Sequence, residues 1–223
     1  MGEGGAIVSD DDNFMDKCFS YHSYGNPYGT VVGEVGAGTI RLGTKLRLTE
    51  YQAAIGLAQL KRLEEQTVTR SKNAEYLSSL MNDIPGIVPY KLYPNVTRAA
   101  FHLFPFRYQR DAFSDLPRAS FLTALRAEGI PCSSGYTPLN TMPFLANTFE
   151  TKNFRKMYPK EMLDSKKYYA ANQCPKNDHL CNEEAVWFTQ NMLLGEKTDM
   201  EDIANAIIKI RKNSDKLKQQ TKG

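Results

Sequence analysis

The chain has 223 residues, 41% hydrophobic and 24% charged, enough to bury a real core in one domain or two small ones. Twenty-eight basic residues against 25 acidic ones leave a net charge of +3, too balanced for a nucleic-acid partner or an anionic membrane surface. No apolar run reaches the length of a membrane span, no signal peptide is expected, and Cys18, Cys132, Cys174 and Cys181 form no Cys-x-x-Cys, so zinc is not expected and a reduced, cytoplasmic setting is.

Gly2-Glu3-Gly4-Gly5 is a glycine-rich turn that runs into Ala6–Ser9, which reads as a short buried strand. Such a turn can present N–H groups to an anion or serve only as a tight bend. Residues 13–24 suit a short helix. Six glycines and one proline between Gly25 and Gly43 then predict a long loop. Within it, Gly33-Glu34-Val35-Gly36-Ala37-Gly38 resembles a phosphate loop but departs from Gly-x-Gly-x-x-Gly. Thr49 with Gln52 makes a capping box, and apolar residues from Tyr51 to Met81 recur at roughly helical spacing. The spacing predicts a long amphipathic helix over residues 49–82, weakened near Thr67-Val68-Thr69 and stopped by Pro85-Gly86.

Beyond Pro85 the pattern alternates. Strands are predicted over residues 88–93 and 99–108, a helix over 116–128, and a strand over 130–133. A loop follows at Gly135-Tyr136-Thr137-Pro138-Leu139, then helical pieces within 142–170, a short helix over 177–184 and a strand over 185–189. Thr198 with Glu201 forms a second capping box ahead of a C-terminal helix. This order predicts a small α+β domain with helices on one face of its sheet. Cys174 and Cys181 are expected as free thiols, a disulfide being the alternative in an oxidising compartment.

Lys45 and Arg47 precede the long helix. Two cations at a helix start can bind a phosphate together with free backbone N–H groups, or can be solvated loop charges. Three further residues stand out: His22 ahead of the glycine loop, His102 in Phe101-His102-Leu103-Phe104, and Tyr136. His179 has no partner at ligand spacing and is assigned no role.

Arg47-Leu48-Thr49-Glu50, with Gln52-Ala53-Ala54, Gly56 and Gln59-Leu60, resembles the DegT/DnrJ/EryC1/StrS aminotransferases, pyridoxal-phosphate enzymes that aminate keto-sugars and keto-cyclitols. The Gly2–Gly5 turn, the His22 segment, the His102 segment and Tyr136-Thr137-Pro138-Leu139 follow the same family in the same order, over residues 2 to about 212. The resemblance implies an α/β chain that is the C-terminal portion of a fold-type I transferase. Residues 1–48 would be a remnant of the large cofactor domain, 49–84 a connecting helix, 85–213 the small domain, and 214–223 a disordered tail. It implies pyridoxal 5′-phosphate as cofactor of the complete enzyme, with Lys45 and Arg47 toward the phosphate bound in a partner subunit. Lys45 stands where the family has asparagine, and as a point charge it can still reach a phosphate. His22, His102 and Tyr136 would face substrate.

In the family, the Schiff-base lysine lies a few residues ahead of the glycine turn, where this chain has only Met1. The chain is therefore expected to hold no catalytic residue itself and to work with an N-terminal half or as a homodimer, on a keto-sugar or keto-cyclitol and an amino donor. The alternative is a non-catalytic dimerisation or partner-binding module. The Cys174-Pro175 to Gly195 stretch resembles the cyclitol branch. Uncovered apolar faces, at residues 6–8 and on the long helix, are expected to promote self-association.

Overall fold

The structure, a computed structural model, describes residues 2–30 and 38–220. The chain divides into two units, Met1–Glu65 and Gln66–Gly223. The division falls inside the long helix, not at either of its ends.

In the first unit, residues 6–9 form no strand, and Ile7 and Val8 are 60% and 91% exposed. An isolated apolar segment becomes a strand only where a neighbour completes its hydrogen-bond ladder, and no described residue does so. Helix α1 (Asp12–His22) begins where Asp11 accepts the Phe14 N–H at 3.0 Å. Helix α2 (Glu50–Asn82) starts at the expected capping box. Gln52 Oε1 accepts the Thr49 N–H at 3.0 Å, and Thr49 Oγ1 accepts the Gln52 N–H at 3.3 Å. The β-branched residues at 67–69 do not interrupt it.

The amphipathic reading of α2 holds only for its second half. Thr67, Ala74, Leu77 and Met81 are buried there and fall within one stripe of about 80° at 100° per residue. In the first half Tyr51, Ile55, Leu57 and Leu60 are all exposed. They stand at about 0°, 40°, 240° and 180° around the axis, so the exposed apolar residues of this half fall on opposite faces rather than in one stripe.

The second unit holds an antiparallel sheet in the order β1 (Ile87–Pro89), β2 (Leu103–Tyr108), β3 (Ala185–Thr189). Alternation along β2 and β3 turns Phe104, Phe106, Tyr108, Val186 and Phe188 to one buried face. That face joins Leu77 and Met81 of α2, Phe121 and Leu125 of α3 (Arg118–Ala127) and Ile203, Ile207 and Ile210 of α8 (Lys197–Lys212) in one apolar core. Burying each such side chain contributes about 1.5–3 kcal/mol, the larger part of what holds this unit together. Between β2 and β3 the chain makes α4 (Pro143–Phe149), α5 (Lys152–Met157), α6 (Ser165–Ala171) and α7 (Pro175–His179), which continues as a π turn over Leu180–Glu184.

Three local expectations change. The strand expected at 130–133 reduces to a bridge, with Ser133 and Trp187 exchanging N–H···O bonds of 3.2 and 3.0 Å. Gly135, at φ +86°, then turns the chain away. Helix α8 is capped by Glu196 and Asp199 rather than Thr198 and Glu201, because the helix starts at Lys197. Within the stretch expected as a disordered tail, the described residues form α9 (Ser214–Gln220). There Lys218 Nζ donates to the Ser114 carbonyl at 2.7 Å and Leu217 packs on the core.

Candidate functional site

In the first unit the glycine loop returns alongside the end of α1. Ser23 bridges to Lys45, Thr44 N–H donates to Tyr21 O at 2.7 Å, and Leu46 N–H donates to His22 O at 3.2 Å. Gly25 makes this possible. Its φ is +78°, and a Cβ there would sit 1.7 Å from the Arg41 carbonyl oxygen. The backbones of His22 and Lys45–Leu46 are thus held side by side.

His22 is half-buried, and its Nδ1 lies 2.8 Å from the Phe19 carbonyl. A carbonyl only accepts, so Nδ1 carries the proton in this contact and Nε2 is the lone-pair nitrogen of the neutral ring. His22 lines a cavity of about 770 Å³ with Ile7, Asp12, Asp16, Phe19 and Tyr28. Lys45 is exposed. Arg47 is half-buried, and its Nε–H is shielded from solvent without a hydrogen-bond partner among the described residues. A buried N–H left unpaired costs about 1–3 kcal/mol, so the position suits an anionic acceptor. Two cations just ahead of a helix start are donors of the kind that can bind an anion. Of the phosphate-loop-like glycine segment, residues 33–37 lie outside the described residues.

The second unit holds His102 and Tyr136. His102 is exposed in a bend just before β2, not within the strand, because Phe101 takes a left-handed φ of +50° to bury its ring against Tyr90. Tyr136 is exposed and stacks edge-on over Trp187 at 4.9 Å between ring centroids. Gly135 permits that stack, since a Cβ there would lie 2.8 Å from the indole. Within each unit the structure thus brings His22 to the Lys45 segment, and Tyr136 to Trp187.

One cluster was not visible beforehand. Glu184 is buried, its Oε2 accepting from Arg107 Nε at 2.6 Å and its Oε1 lying 3.1 Å from His179 Nε2. The Arg107 hydrogen bond holds the Glu184 carboxyl below the usual carboxylate range against the opposing effect of burial, and His179 acts in the same direction. Arg118 Nη1 ties the π turn to α3 by donating to the carbonyls of Cys181 at 2.8 Å and Ala185 at 3.0 Å. No sequence signal gave this cluster, because it follows from the strand register. With Arg107 opposite Ala185, its neighbour Glu184 falls within reach. The four cysteines are free. Among the described residues no helix is long and apolar enough to cross a membrane, and no group of three or more His, Cys, Asp or Glu is placed to hold a metal ion.

The sequence model of the DegT/DnrJ/EryC1/StrS aminotransferase family matches residues 1–184. Among curated relatives, L-glutamine:2-deoxy-scyllo-inosose aminotransferase of Streptoalloteichus tenebrarius is 27% identical over 223 residues, covering 97% of this chain and 51% of its own length. Two solved structures share the fold. An aminotransferase of pseudaminic acid biosynthesis from Helicobacter pylori aligns with a TM-score of 0.64 at 20% identity, over 92% of this chain and 48% of its own. The crystal structure of 3-amino-5-hydroxybenzoic acid synthase aligns with a TM-score of 0.63 at 23% identity, over 90% and 48%. The chain spans about half the length of the proteins it matches.

Proposed function

Because the chain belongs to the DegT/DnrJ/EryC1/StrS aminotransferase family, whose enzymes use pyridoxal 5′-phosphate, we propose that it forms the C-terminal half of a cytoplasmic keto-sugar or keto-cyclitol aminotransferase. The observation that carries this reading is a family match through the first 184 residues in a chain that spans about half of its relatives. The first half of α2 supports it, since exposed apolar residues on opposite faces of one helix are suited to being covered by further polypeptide. The same surface would serve the alternative, a module that binds a partner without catalysis.

When bound, the cofactor supplies the electron sink through which an amino group passes from donor to keto acceptor. This chain's own residues would bind and orient. Arg47, through its unpaired Nε–H, and Lys45, as a point charge, would hold the cofactor phosphate across a subunit interface. His22, His102 and Tyr136 would meet hydroxyl and keto groups of a cyclitol or sugar. The amine that anchors the cofactor would come from polypeptide outside this chain. L-glutamine, the donor in the relative's name, is the donor to test first.

Two preparations test this: the chain alone, and the chain joined to the polypeptide encoded immediately upstream of Met1. The chain alone, reduced with borohydride in the presence of pyridoxal phosphate, should show no stoichiometric label on any one lysine by mass spectrometry. The joined protein should take one label per chain and transfer nitrogen from L-glutamine to a keto-cyclitol. A single labelled lysine in the chain alone, or a folded joined protein that takes no label, would overturn the assignment.

A further inference from the structure

The sheet of the second unit has a second face. Across β2 and β3, Pro105 pairs with Trp187 and Arg107 with Ala185, and alternation turns all four away from the apolar core. Over this face lies a cavity of about 760 Å³, walled by Trp187, Tyr136, Pro105, Leu139 and Leu180. Its volume is in the range of small-molecule sites, which combine apolar walls with a few placed polar groups.

The charges in this cavity share one sign. Lys91 and Arg107 line it, and no carboxylate does. The acid that neutralises Arg107 sits behind it. Glu184 takes the Nε edge of the guanidinium with one oxygen and His179 with the other. The π turn over Leu180–Glu184, pinned by Arg118, puts Glu184 in that place. Among the described residues Arg107 donates through Nε alone, so its two Nη groups are left for a bidentate acceptor. A guanidinium held on one edge by a buried acid is pre-oriented, and little side-chain entropy remains to be lost when a ligand binds.

We propose that this cavity is a binding site for a small ring-bearing carboxylate, with the ring against Trp187 and the carboxylate on Arg107, beside Lys91. Glu184 is a positioning residue for Arg107. Tyr136 is shared with the proposed substrate set, but binding here needs neither the cofactor nor a second chain, so ligand titration of this chain tests the site separately from the aminotransferase reading.

Trp187 is the one tryptophan in the sequence, so its fluorescence reports on the cavity directly. The full chain is titrated with benzoate, its neutral isostere benzamide, phenyl phosphate and 2-oxoglutarate. Benzoate should change the emission saturably, with a Kd on the order of 1 mM for a ligand of this size. Benzamide should bind at least about tenfold more weakly, for want of a charge to meet the guanidinium. R107Q alone would strand Glu184, so R107Q/E184Q is made as well, removing both charges together. It should lose about tenfold in benzoate affinity while its circular dichroism stays that of the parent. R107K should fall between, keeping the charge without the fork. Equal binding of benzoate and benzamide, or parental benzoate affinity in R107Q/E184Q, would overturn the site. Tighter binding of phenyl phosphate than benzoate would overturn the carboxylate, and tighter binding of 2-oxoglutarate the ring.

Discussion

At the residue scale, Glu184 shows how a buried charge is made tolerable. Both carboxylate oxygens are engaged, one by Arg107 and one by His179, so little of the desolvation cost is left uncompensated. Its carboxyl, held below the ordinary value by Arg107, has a pH signature with a definite sign. The unfolded chain binds the proton first, near the usual glutamate pKa of about 4.3. The stabilisation is therefore complete above that pH and is lost as pH falls through the lower, folded value. Urea unfolding from about pH 6 to pH 3 should show an acid-side loss of stability that is shallower in E184Q. An identical slope in the variant would show that Glu184 carries no net coupling. Truncation to alanine at neutral pH should cost about 1–3 kcal/mol, the range for losing a charged hydrogen bond.

At the element scale, α2 is two helices in one. Its second half has a single buried stripe and belongs to the core of the second unit. Its first half has exposed apolar residues on opposite faces and depends on local chemistry to stay helical, chiefly the reciprocal Thr49–Gln52 cap. Removing that cap with Thr49→Ala should cost about 1 kcal/mol. Amide exchange of Tyr51 to Ile55 should then speed about fivefold, while the amides near Leu77 and Met81 keep their protection. Unchanged exchange at the start of the helix would mean that the cap is redundant. The capping box was legible in the sequence because it is a short-range pattern. The one at α8 was misplaced by two residues, since Glu196 and Asp199 offer the same chemistry as Thr198 and Glu201 two residues earlier.

At the scale of the molecule, exposed apolar surface is concentrated in the first unit. Ile7, Val8, Ile40, Leu42, Leu46, Tyr51, Leu57 and Leu60 are all largely in contact with solvent. Surface of this kind drives association when nothing else covers it. The isolated chain should self-associate at concentrations of tens of micromolar, roughly the regime in which such patches matter. L57K/L60K should reduce the scattering without shifting the unfolding midpoint of the second unit, since neither residue belongs to its core. A monodisperse monomer of the parent chain by light scattering would contradict this.

The sequence by itself carried the family, the long helix with its N-cap, α3, β3 and the C-terminal helix, because each rests on contiguous periodicity or on a motif read within a few residues. It named Lys45, Arg47, His22, His102 and Tyr136 as residues of interest. Only the tertiary structure placed Arg107 on Glu184, set Trp187 against Tyr136 and Gly135, and left the Arg47 Nε–H without a partner among the described residues. Those facts depend on strand register and on segments tens of residues apart meeting in space. The same reason explains why residues 6–9 read as a strand and are not one here: local apolarity proposes a strand, and only a neighbouring backbone completes it.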